Sequence, residues 1–201
     1  MTINTREFLE RYGPWAIVTG ASSGIGEQFA RLLAARGFHL IITARRKERL
    51  DTLAKSLQAQ HAINVLPLEL DLSKQNFLTE LTDTIADKTI GLVISNAGFG
   101  LKGEHHLSSA DQMDRMLQVN SRAPMLLAHS LSPALIKKGK GGFVFTGSIE
   151  GFVAFPWSAS YAASKAFVLS LGESLGYELR PYGIDVLVLA PGSTDTEALP
   201  L

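Results

Sequence analysis

A tyrosine and a lysine stand four positions apart, at Tyr161 and Lys165, in the sequence Tyr-Ala-Ala-Ser-Lys. Residues four apart share one face of a helix, so the phenol and the ammonium can face the same cleft. A free tyrosine titrates near pH 10, too high for proton exchange at neutrality. One positive charge about 4 Å away, in an effective dielectric near 20, favours the phenolate by about 4 kcal/mol. The pair is a candidate proton donor and acceptor if this charge outweighs the desolvation of the phenol. The same spacing also occurs by chance in many helices.

A serine and an asparagine could serve the same reaction. Ser148 follows the apolar run Gly142–Thr146, and ligands of open α/β sheets bind at the carboxyl ends of strands. Its hydroxyl can hydrogen-bond a substrate carbonyl beside the tyrosine that delivers the proton. Asn120 lies within a predicted helix, where asparagine is a mediocre helix former. The residue types favour proton transfer at a carbonyl or hydroxyl group.

A glycine-rich turn, residues 19–26, follows the first apolar run and precedes a predicted helix. Glycine suits a tight turn, a close approach of the backbone to a pyrophosphate and close packing of helix on strand. The free N–H groups and the positive end of the helix favour bound phosphate. The alternative is a flexible Gly/Ser loop without a ligand, which the position of the turn disfavours. The candidate cofactor-binding residues here are Gly20, Ser22, Ser23, Gly24, Ile25 and Gly26.

Apolar runs and amphipathic stretches alternate along the chain, which predicts the elements that position these residues. The predicted strands are Trp15–Thr19, His39–Thr43, Asn64–Leu70, Gly91–Ser95, Gly142–Thr146 and Asp185–Ala190. The predicted helices are Glu27–Arg36, Lys47–Gln60, Ser73–Ala86, one from Ser109 past Asn120 with a bend near Pro124, and Ser160–Leu179. Strands that are apolar throughout are typical of a parallel sheet covered on both faces. The pattern predicts the α/β class: a doubly wound parallel sheet (Rossmann fold) in three αβα layers, with residues 1–201 as one domain.

The composition argues against several other classes of protein. The 201 residues carry no net charge and no cysteine, which excludes disulfides and thiolate sites and gives no sign of nucleic-acid binding. No apolar run is long enough to span a bilayer, since that takes about 20 residues. His105 and His106 are interpreted as a solvated loop, so no metal site is predicted. We expect a cytoplasmic protein.

The motifs together resemble the short-chain dehydrogenase/reductase family. The turn has the spacing T-G-x-x-x-G-x-G, and it precedes Ser148 and the Tyr-x-x-x-Lys pair in the family's order. The other matching residues are Asp71, Leu72, Asn96, Ala97, Gly98, Pro191, Gly192, Thr194 and Thr196. Ser95 departs from the family, which more usually has asparagine before the N-A-G segment. The resemblance extends from about residue 15 to residue 196.

The resemblance implies a role for each matching residue. Asn120, Ser148, Tyr161 and Lys165 are expected to be catalytic, with Lys165 lowering the pKa of Tyr161 and Asn120 helping to hold a water. Lys165 is also expected to hold the nicotinamide ribose. Asp71 would contact the adenine and the segment 96–98 would line the cofactor site, while Thr194 and Thr196 would meet the carboxamide and a phosphate oxygen.

The cofactor is predicted from the end of the second strand, Thr43-Ala44-Arg45-Arg46. An acid there would hold the ribose 2′-hydroxyl of NAD, but no carboxylate is present. Arg45 resembles the family's NADP(H)-preferring members and offers a fixed charge to a 2′-phosphate. The alternative is that Arg45 and Arg46 start a solvated helix. We therefore expect NADP(H).

These features predict hydride exchange between NADP(H) and a carbonyl or alcohol, with Tyr161 as proton donor or acceptor. The alternatives are a catalytically idle NADP(H)-binding sensor or scaffold and an NAD-dependent alcohol or sugar dehydrogenase. Apolar side chains between Ser148 and Tyr161 hint at an apolar small-molecule substrate, although ordinary packing explains them equally well. The family usually continues into a substrate loop and a last strand, which this chain is expected to lack. A homo-oligomer, dimer or tetramer, is expected, with pairing through 113–135 and 166–179.

Overall fold

Six parallel strands form the centre of the structure, which is a computed structural model and describes residues 4–194. The strands are β1 (Trp15–Thr19), β2 (His39–Ala44), β3 (Val65–Glu69), β4 (Ile90–Ser95), β5 (Gly141–Thr146) and β6 (Ile184–Leu189). Their order in the sheet is β3-β2-β1-β4-β5-β6, and every pairing is parallel. The order reverses between β1 and β4, which is where such sheets bind ligands. The predicted doubly wound Rossmann fold is confirmed.

The described residues contain seven α-helices, of which the first precedes β1 and the others lie between strands. They are α1 (Thr5–Tyr12), α2 (Gly24–Ala34), α3 (Lys47–Gln60), α4 (Phe77–Ile85), α5 (Ala110–Leu117), α6 (Ala123–Lys138) and α7 (Ala159–Leu179). Alternate strand residues point to opposite faces of the sheet, and each face has its own apolar core. One core packs α2 and α3 against residues such as Val18 and Ile42. The other packs α4, α6 and α7 against residues such as Ile17 and Phe143.

A π-helical turn, Gln118–Arg122, joins α5 to α6. Ser109 caps α5 as predicted, since its side chain accepts a hydrogen bond from the Gln112 N–H. In place of the predicted bend near Pro124, the helix widens into this π-helical turn just before that proline. Pro124 itself stands in the first turn of α6. π-Turns inside helices are frequent at functional sites, and this one contains Asn120.

The structure differs from the predictions at α1, α4 and β6, and α2 is Gly24–Ala34 rather than Glu27–Arg36. Helix α1 was not predicted, and it packs Phe8 and Leu9 against the core under α2 and α3. Helix α4 begins at Phe77 rather than Ser73, because Asp71 accepts hydrogen bonds from the N–H and hydroxyl of Ser73 and holds that stretch as a turn. Strand β6 is not covered on both faces, since Asp185 and Leu187 are exposed.

Two kinds of feature are absent from the described residues. Within 4–194, no helix is both long and apolar enough to cross a membrane. In the same range, no three His, Asp or Glu side chains are grouped closely enough to bind a metal ion. Thr196 lies outside the described residues.

Candidate active site

The loops that follow β1, β4 and β5 meet at the carboxyl edge of the sheet, where α7 begins. Tyr161 stands in the first turn of α7 and Lys165 in the second. The loop after β5 turns back at Ile149–Gly151 and closely approaches α7. A Cβ atom on Gly151 would lie 2.8 Å from the carbonyl carbon of Lys165, so glycine allows this approach.

Lys165 is buried beneath the loops, with 4% of its surface exposed. Its Nζ donates a hydrogen bond of 2.7 Å to the Thr146 carbonyl at the end of β5, and it lies 5.7 Å from the centre of the Tyr161 ring. Burial lowers the pKa of Lys165 to about 8, because removing the ammonium from water disfavours its charged form. The side chain fixes α7 to the end of β5.

The pKa of Tyr161 is raised above its ordinary value, chiefly because burial disfavours the phenolate. A side-chain hydrogen bond with Ser148 acts in the opposite direction, and the negative charge of Glu150 raises the pKa further. The prediction that Lys165 lowers this pKa is therefore wrong for the structure described. The ammonium points to the Thr146 carbonyl rather than to the phenol, and the desolvation of the phenol is the largest effect.

Ser148 is the predicted substrate-orienting hydroxyl, and the structure brings it to Tyr161. It is buried, and its Oγ accepts a hydrogen bond of 3.2 Å from the Glu150 N–H. That bond caps the turn after β5 and holds the hydroxyl oxygen towards α7. The oxygen can still donate its proton to an acceptor beside the phenol.

Asn120 is buried, with 1% of its surface exposed, and its side chain joins the loop after β4 to helix α7. Its Nδ2 donates to the Phe99 carbonyl at 2.9 Å and to Ser164 Oγ at 3.1 Å. Its Oδ1 accepts from the Phe99 N–H at 3.1 Å. A Cβ on Gly98 would lie 3.0 Å from Asn120 Oδ1 and 3.3 Å from Lys165 Nζ. Asn120 thus holds the segment after β4 against α7, close to the lysine.

The glycine-rich turn packs directly on the segment after β4. Gly20 and Gly24 have φ angles of +68° and +57°, which favour glycine. A Cβ on Gly26 would overlap the Gly20 carbonyl and lie 2.5 Å from Asn96 Nδ2. Asn96 Nδ2 donates to the Thr19 carbonyl at 3.2 Å. The turn, Asn96 and the neighbouring Ala97 therefore form one close-packed surface.

Thr19 is a positioning residue that the sequence reasoning missed. Its Oγ1 accepts hydrogen bonds of 3.0 Å from the N–H groups of both Asn96 and Ala97. It is fully buried at the end of β1. A threonine directly before the turn was visible in the sequence, but its partners come from the segment after β4, a strand that pairs with β1 only in the fold.

An arginine contacts the glycine-rich turn, and it is Arg46. Its Nη2 donates to Ser22 Oγ at 3.0 Å and to Ser23 Oγ at 2.7 Å. Arg45 is exposed next to it, and its charge contributes to the lowered pKa of Asp71. The sequence reasoning chose Arg45 and named Arg46 only as a possible helix start. The structure assembles Ser22, Ser23 and the Arg46 guanidinium at one end of the turn, with Arg45 adjacent in the chain.

The other predicted cofactor residues lie around the same edge. Both carboxylate oxygens of Asp71 already have partners in the chain: Ser73 donates to one, and Arg115 Nη2 donates to the other at 2.9 Å. Leu72 is buried. The Ile149 N–H donates to the Pro191 carbonyl at 3.2 Å, which places 191–194 beside the loop after β5. Gly192 and Thr194 are exposed there.

Large apolar side chains are exposed between Ser148 and Tyr161. They are Ile149, Phe152, Val153, Phe155 and Trp157. Trp157 has a φ of +60°, and no other residue of 4–194 except glycine has a positive φ. Its carbonyl accepts a hydrogen bond from the Gly103 N–H at 2.8 Å. The exposure argues against ordinary core packing as the reason for these apolar residues.

Residues 14–200 match the short chain dehydrogenase family. The chain belongs to this family. It is 33% identical to the 7beta-hydroxysteroid dehydrogenase of Clostridium sardiniense over 94% of the chain and 72% of that protein. It is also 28–33% identical to very-long-chain 3-oxoacyl-CoA reductases of several fungi, and spans only 53–57% of their length.

Solved structures show the same fold. A short-chain dehydrogenase from Sphingobium yanoikuyae in complex with NADPH is 37% identical, with a TM-score of 0.89 over 92% of this chain and 74% of that one. The bulky-bulky ketone specific alcohol dehydrogenase from Comamonas testosteroni is 38% identical, with a TM-score of 0.88 over 94% and 77%. A family member from Burkholderia phymatum in complex with NAD, 28% identical, has a TM-score of 0.87 over 94% and 69%. This chain is an oxidoreductase of the family with a nicotinamide cofactor.

The residues present fit a dinucleotide cofactor. A side chain at Gly26 would overlap the Gly20 carbonyl, so glycine allows the close packing of helix on strand that a pyrophosphate-binding turn requires. No side chain caps the first N–H groups of α2, and free N–H groups at a helix start bind phosphate. The serines and guanidinium groups at residues 22–23 and 45–46 add donors and positive charge beside them.

Proposed function

We propose that this dehydrogenase exchanges a hydride between NADP(H) and a carbonyl or alcohol substrate, with Tyr161 as the proton donor or acceptor. The observation that carries the proposal is that the structure brings the buried Ser148 to the half-buried phenol of Tyr161, one helical turn from Lys165. The pair lies at the carboxyl edge of the sheet next to the glycine-rich turn. An idle cofactor-binding protein needs no such pair.

Each catalytic side chain has a distinct role in this proposal. The bound nicotinamide cofactor supplies or accepts the hydride. Ser148 donates a hydrogen bond to the substrate oxygen and stabilises the charge that develops on it, which is commonly a large contribution to rate. Tyr161 gives its proton to the same oxygen, or removes it in oxidation. Lys165 supplies a fixed positive charge under the site, and Asn120 positions the lysine and the loop after β4.

NADP(H) is favoured over NAD(H) by the charges beside the turn. A 2′-phosphate needs positive donors, and guanidinium groups supply them with a planar set of N–H groups. Arg46, held on Ser22 and Ser23, and the exposed Arg45 provide such donors. Two similar structures hold NADPH or NADP, whereas another holds NAD. The arginines of this chain support NADP(H) as the cofactor.

A large apolar ketone or secondary alcohol is the substrate that the loop after β5 favours. Its exposed aliphatic and aromatic side chains adjoin Ser148 and Tyr161, and small-molecule sites are mostly apolar with few polar groups. A steroid dehydrogenase and an enzyme described as specific for bulky ketones are among the similar proteins. Both descriptions agree with this class of substrate.

The test is turnover of a panel of bulky ketones with NADPH and with NADH, followed by the absorbance of the reduced nicotinamide. We expect NADPH to be oxidised, and the Tyr161→Phe variant to lose at least about 1,000-fold in kcat, within the range that general acids contribute. Its affinity for NADPH should remain within about twofold, measured by fluorescence titration. Ser160→Ala, next to the tyrosine, is the matched control and should retain most activity. Full turnover by Tyr161→Phe, or faster turnover with NADH, would contradict the corresponding part of the proposal.

A further inference from the structure

An ion pair that the mechanism does not use lies beside the phenol of Tyr161. Lys102 Nζ donates a hydrogen bond of 2.6 Å to Glu150 Oε1. Ser158 Oγ donates one of 2.6 Å to Glu150 Oε2, so both carboxylate oxygens are bound. Glu150 is largely buried, with 15% of its side chain exposed, and Lys102 is exposed at 41%. A charge pair sheltered to this degree acts more strongly than one on the open surface.

The pair connects three segments around the site. Lys102 belongs to the loop after β4, Glu150 to the turn after β5, and Ser158 directly precedes α7. Lys102 Nζ also donates to Ser158 Oγ at 3.2 Å. The Ser158 carbonyl accepts the Ala162 N–H in the first turn of α7. The network therefore fixes the start of the helix that carries Tyr161.

A second link holds the same two loops together. The Gly103 N–H donates to the Trp157 carbonyl at 2.8 Å. Trp157 has a left-handed backbone at this contact, and its own side chain is exposed. Unfavourable backbone conformations persist where the surrounding structure holds them, and they occur often at functional sites. The loops around the phenol are therefore tied from two directions.

Four charged or titratable groups face Tyr161 or its neighbour. Lys102 Nζ lies 5.8 Å and Lys165 Nζ 5.7 Å from the centre of the Tyr161 ring. Glu150 acts on the phenol with the opposite sign and raises the pKa of Tyr161. His105 Nδ1 contacts Ser160 Oγ at 3.2 Å, one residue before the tyrosine. Only the pair of Lys102 and Glu150 combines both signs within one contact.

We propose that Lys102 and Glu150 are paired positioning residues that set the proton affinity of the Tyr161 phenol. The proposal rests on the proposed function, in which that phenol exchanges a proton with the substrate. Both charges lie close enough to act on the phenol, and they have opposite signs. Separately they act in opposite directions: an unpaired Glu150 disfavours the phenolate, and an unpaired Lys102 favours it.

The experiment is a spectroscopic titration of the phenol. The chain has four tyrosines, so the tyrosinate absorbance of each protein minus that of the same protein carrying Tyr161→Phe isolates Tyr161. Glu150→Gln keeps the side-chain volume and removes the charge, and its titration midpoint should move to lower pH. Lys102→Met should move the midpoint to higher pH. The double variant should return it close to the wild-type position.

A remote lysine provides the matched control. Lys88 forms an ion pair with Asp87 before β4, at the opposite edge of the sheet, and Lys88→Met should leave the midpoint unchanged. In the pH profile of kcat/KM for alcohol oxidation, the rising limb should shift in the same direction as the titration midpoint. The reason is that the phenolate is the base in that direction. Lys102→Arg, which keeps the charge, should titrate like the wild type. If Lys102→Met does not fold, Lys102→Gln tests the same loss of charge.

The outcomes separate this inference from the proposed function. Midpoints that move in the same direction in both single variants, or do not move, overturn the role of the ion pair even if Tyr161→Phe is inactive. Opposite shifts that cancel in the double variant support it. If Tyr161→Phe keeps full turnover, the proposed function fails while the titrations still decide whether the pair sets the affinity of the phenol.

Discussion

Lys165 carries the largest electrostatic cost among the site residues of the described range. Its ammonium is bound to the Thr146 carbonyl in surroundings that keep water away. Such a group is disfavoured in its charged form, yet the proposed chemistry needs that charge beside the phenol. Stability and function therefore make opposite demands on this residue, and the pH dependence of stability can reveal the conflict.

Replacing Lys165 with methionine should change how stability depends on pH. Burial lowers the pKa of Lys165 to about 8, while an unfolded chain titrates lysine near pH 10.4. Between these values the unfolded state binds more protons, so the free energy of unfolding of the wild type rises with pH. We expect the difference between wild type and variant to change by about 3 kcal/mol in favour of the wild type from about pH 7 to 11, measured by urea denaturation. Lys55→Met, at an exposed position of α3, is the control. A difference that is independent of pH would show that Lys165 is not buried as an ammonium.

Replacing Arg46 with glutamine should weaken NADPH binding about tenfold, which corresponds to roughly 1.4 kcal/mol. The variant loses the guanidinium held on Ser22 and Ser23, which would bind the 2′-phosphate of NADPH. NADH has no 2′-phosphate, so its binding should not depend on this group. We expect NADH affinity to stay within about twofold in fluorescence titrations. Arg36→Gln, beyond the end of α2, serves as the control. Equal weakening of both cofactors would assign Arg46 a structural role only.

At the scale of the elements, two glycines in α7 experience different surroundings. A Cβ on Gly172 would overlap Val188 Cγ2 of β6, whereas one on Gly176 would lie 3.9 Å from Val186 Cβ. Both glycines stand in the middle of the helix on the side that faces β6. Helix α7 and β6 are therefore in close contact at Gly172 and in ordinary contact one turn later.

Substituting alanine at these two glycines should have opposite effects. Gly172→Ala should destabilise the protein by about 1–3 kcal/mol, the usual cost of overpacking, because β6 must move. Gly176→Ala has room for its methyl group and should be neutral or stabilising by up to about 1 kcal/mol, since alanine favours helix. Urea denaturation of both variants tests this. Equal effects would mean that α7 adjusts freely against β6.

The order and type of the strands and longer helices were predictable because they follow from local apolar patterns. Helix α3 begins and ends as predicted, and β1 does so too. The sequence did not reveal α1, whose few apolar residues find partners only after β2 and α2 have assembled. It also missed the π-helical turn around Asn120, since that turn depends on bonds to Phe99 and Ser164 in other segments.

The site was predictable where a motif names a residue, and less so where partners are distant. Ser148, Tyr161 and Lys165 are brought together as the motifs indicate. The contacts of Arg46 with the turn span 23 and 24 positions, and Lys102 meets Glu150 across 48 positions. Such pairs have no local signature. The direction of the pKa of Tyr161 was also missed, because burial cannot be read from the spacing of two residues.

At the scale of the whole molecule, apolar residues remain exposed on the helices predicted to pair with a second copy. Leu117, Met125 and Phe167 are examples from α5, α6 and α7. Leu187 of β6 is exposed at 59% on the opposite side of the sheet from α7. Clustered exposed apolar residues often mark interaction surfaces. They agree with self-association through α5–α7, which stays a prediction.

Size-exclusion chromatography with light scattering tests this prediction. We expect the wild type to form a dimer or tetramer and Phe167→Glu to shift it towards monomer, because a buried unpaired carboxylate is costly in an interface. Leu32→Glu, at an exposed apolar residue of α2, should leave the oligomer intact. A wild type that elutes as monomer at every concentration contradicts the expectation.

The left-handed turn at Trp157 gives the molecule a built-in optical reporter. The chain has two tryptophans, and Trp15 begins β1 at the far edge of the sheet, next to the ring of His39. Trp157 holds its indole out into solvent, 69% exposed, within the loop beside the phenol. Its fluorescence should therefore shift to shorter wavelength when an apolar molecule covers that loop, and should be quenched by energy transfer to reduced nicotinamide. Candidate ligands can thus be screened by emission alone, without turnover.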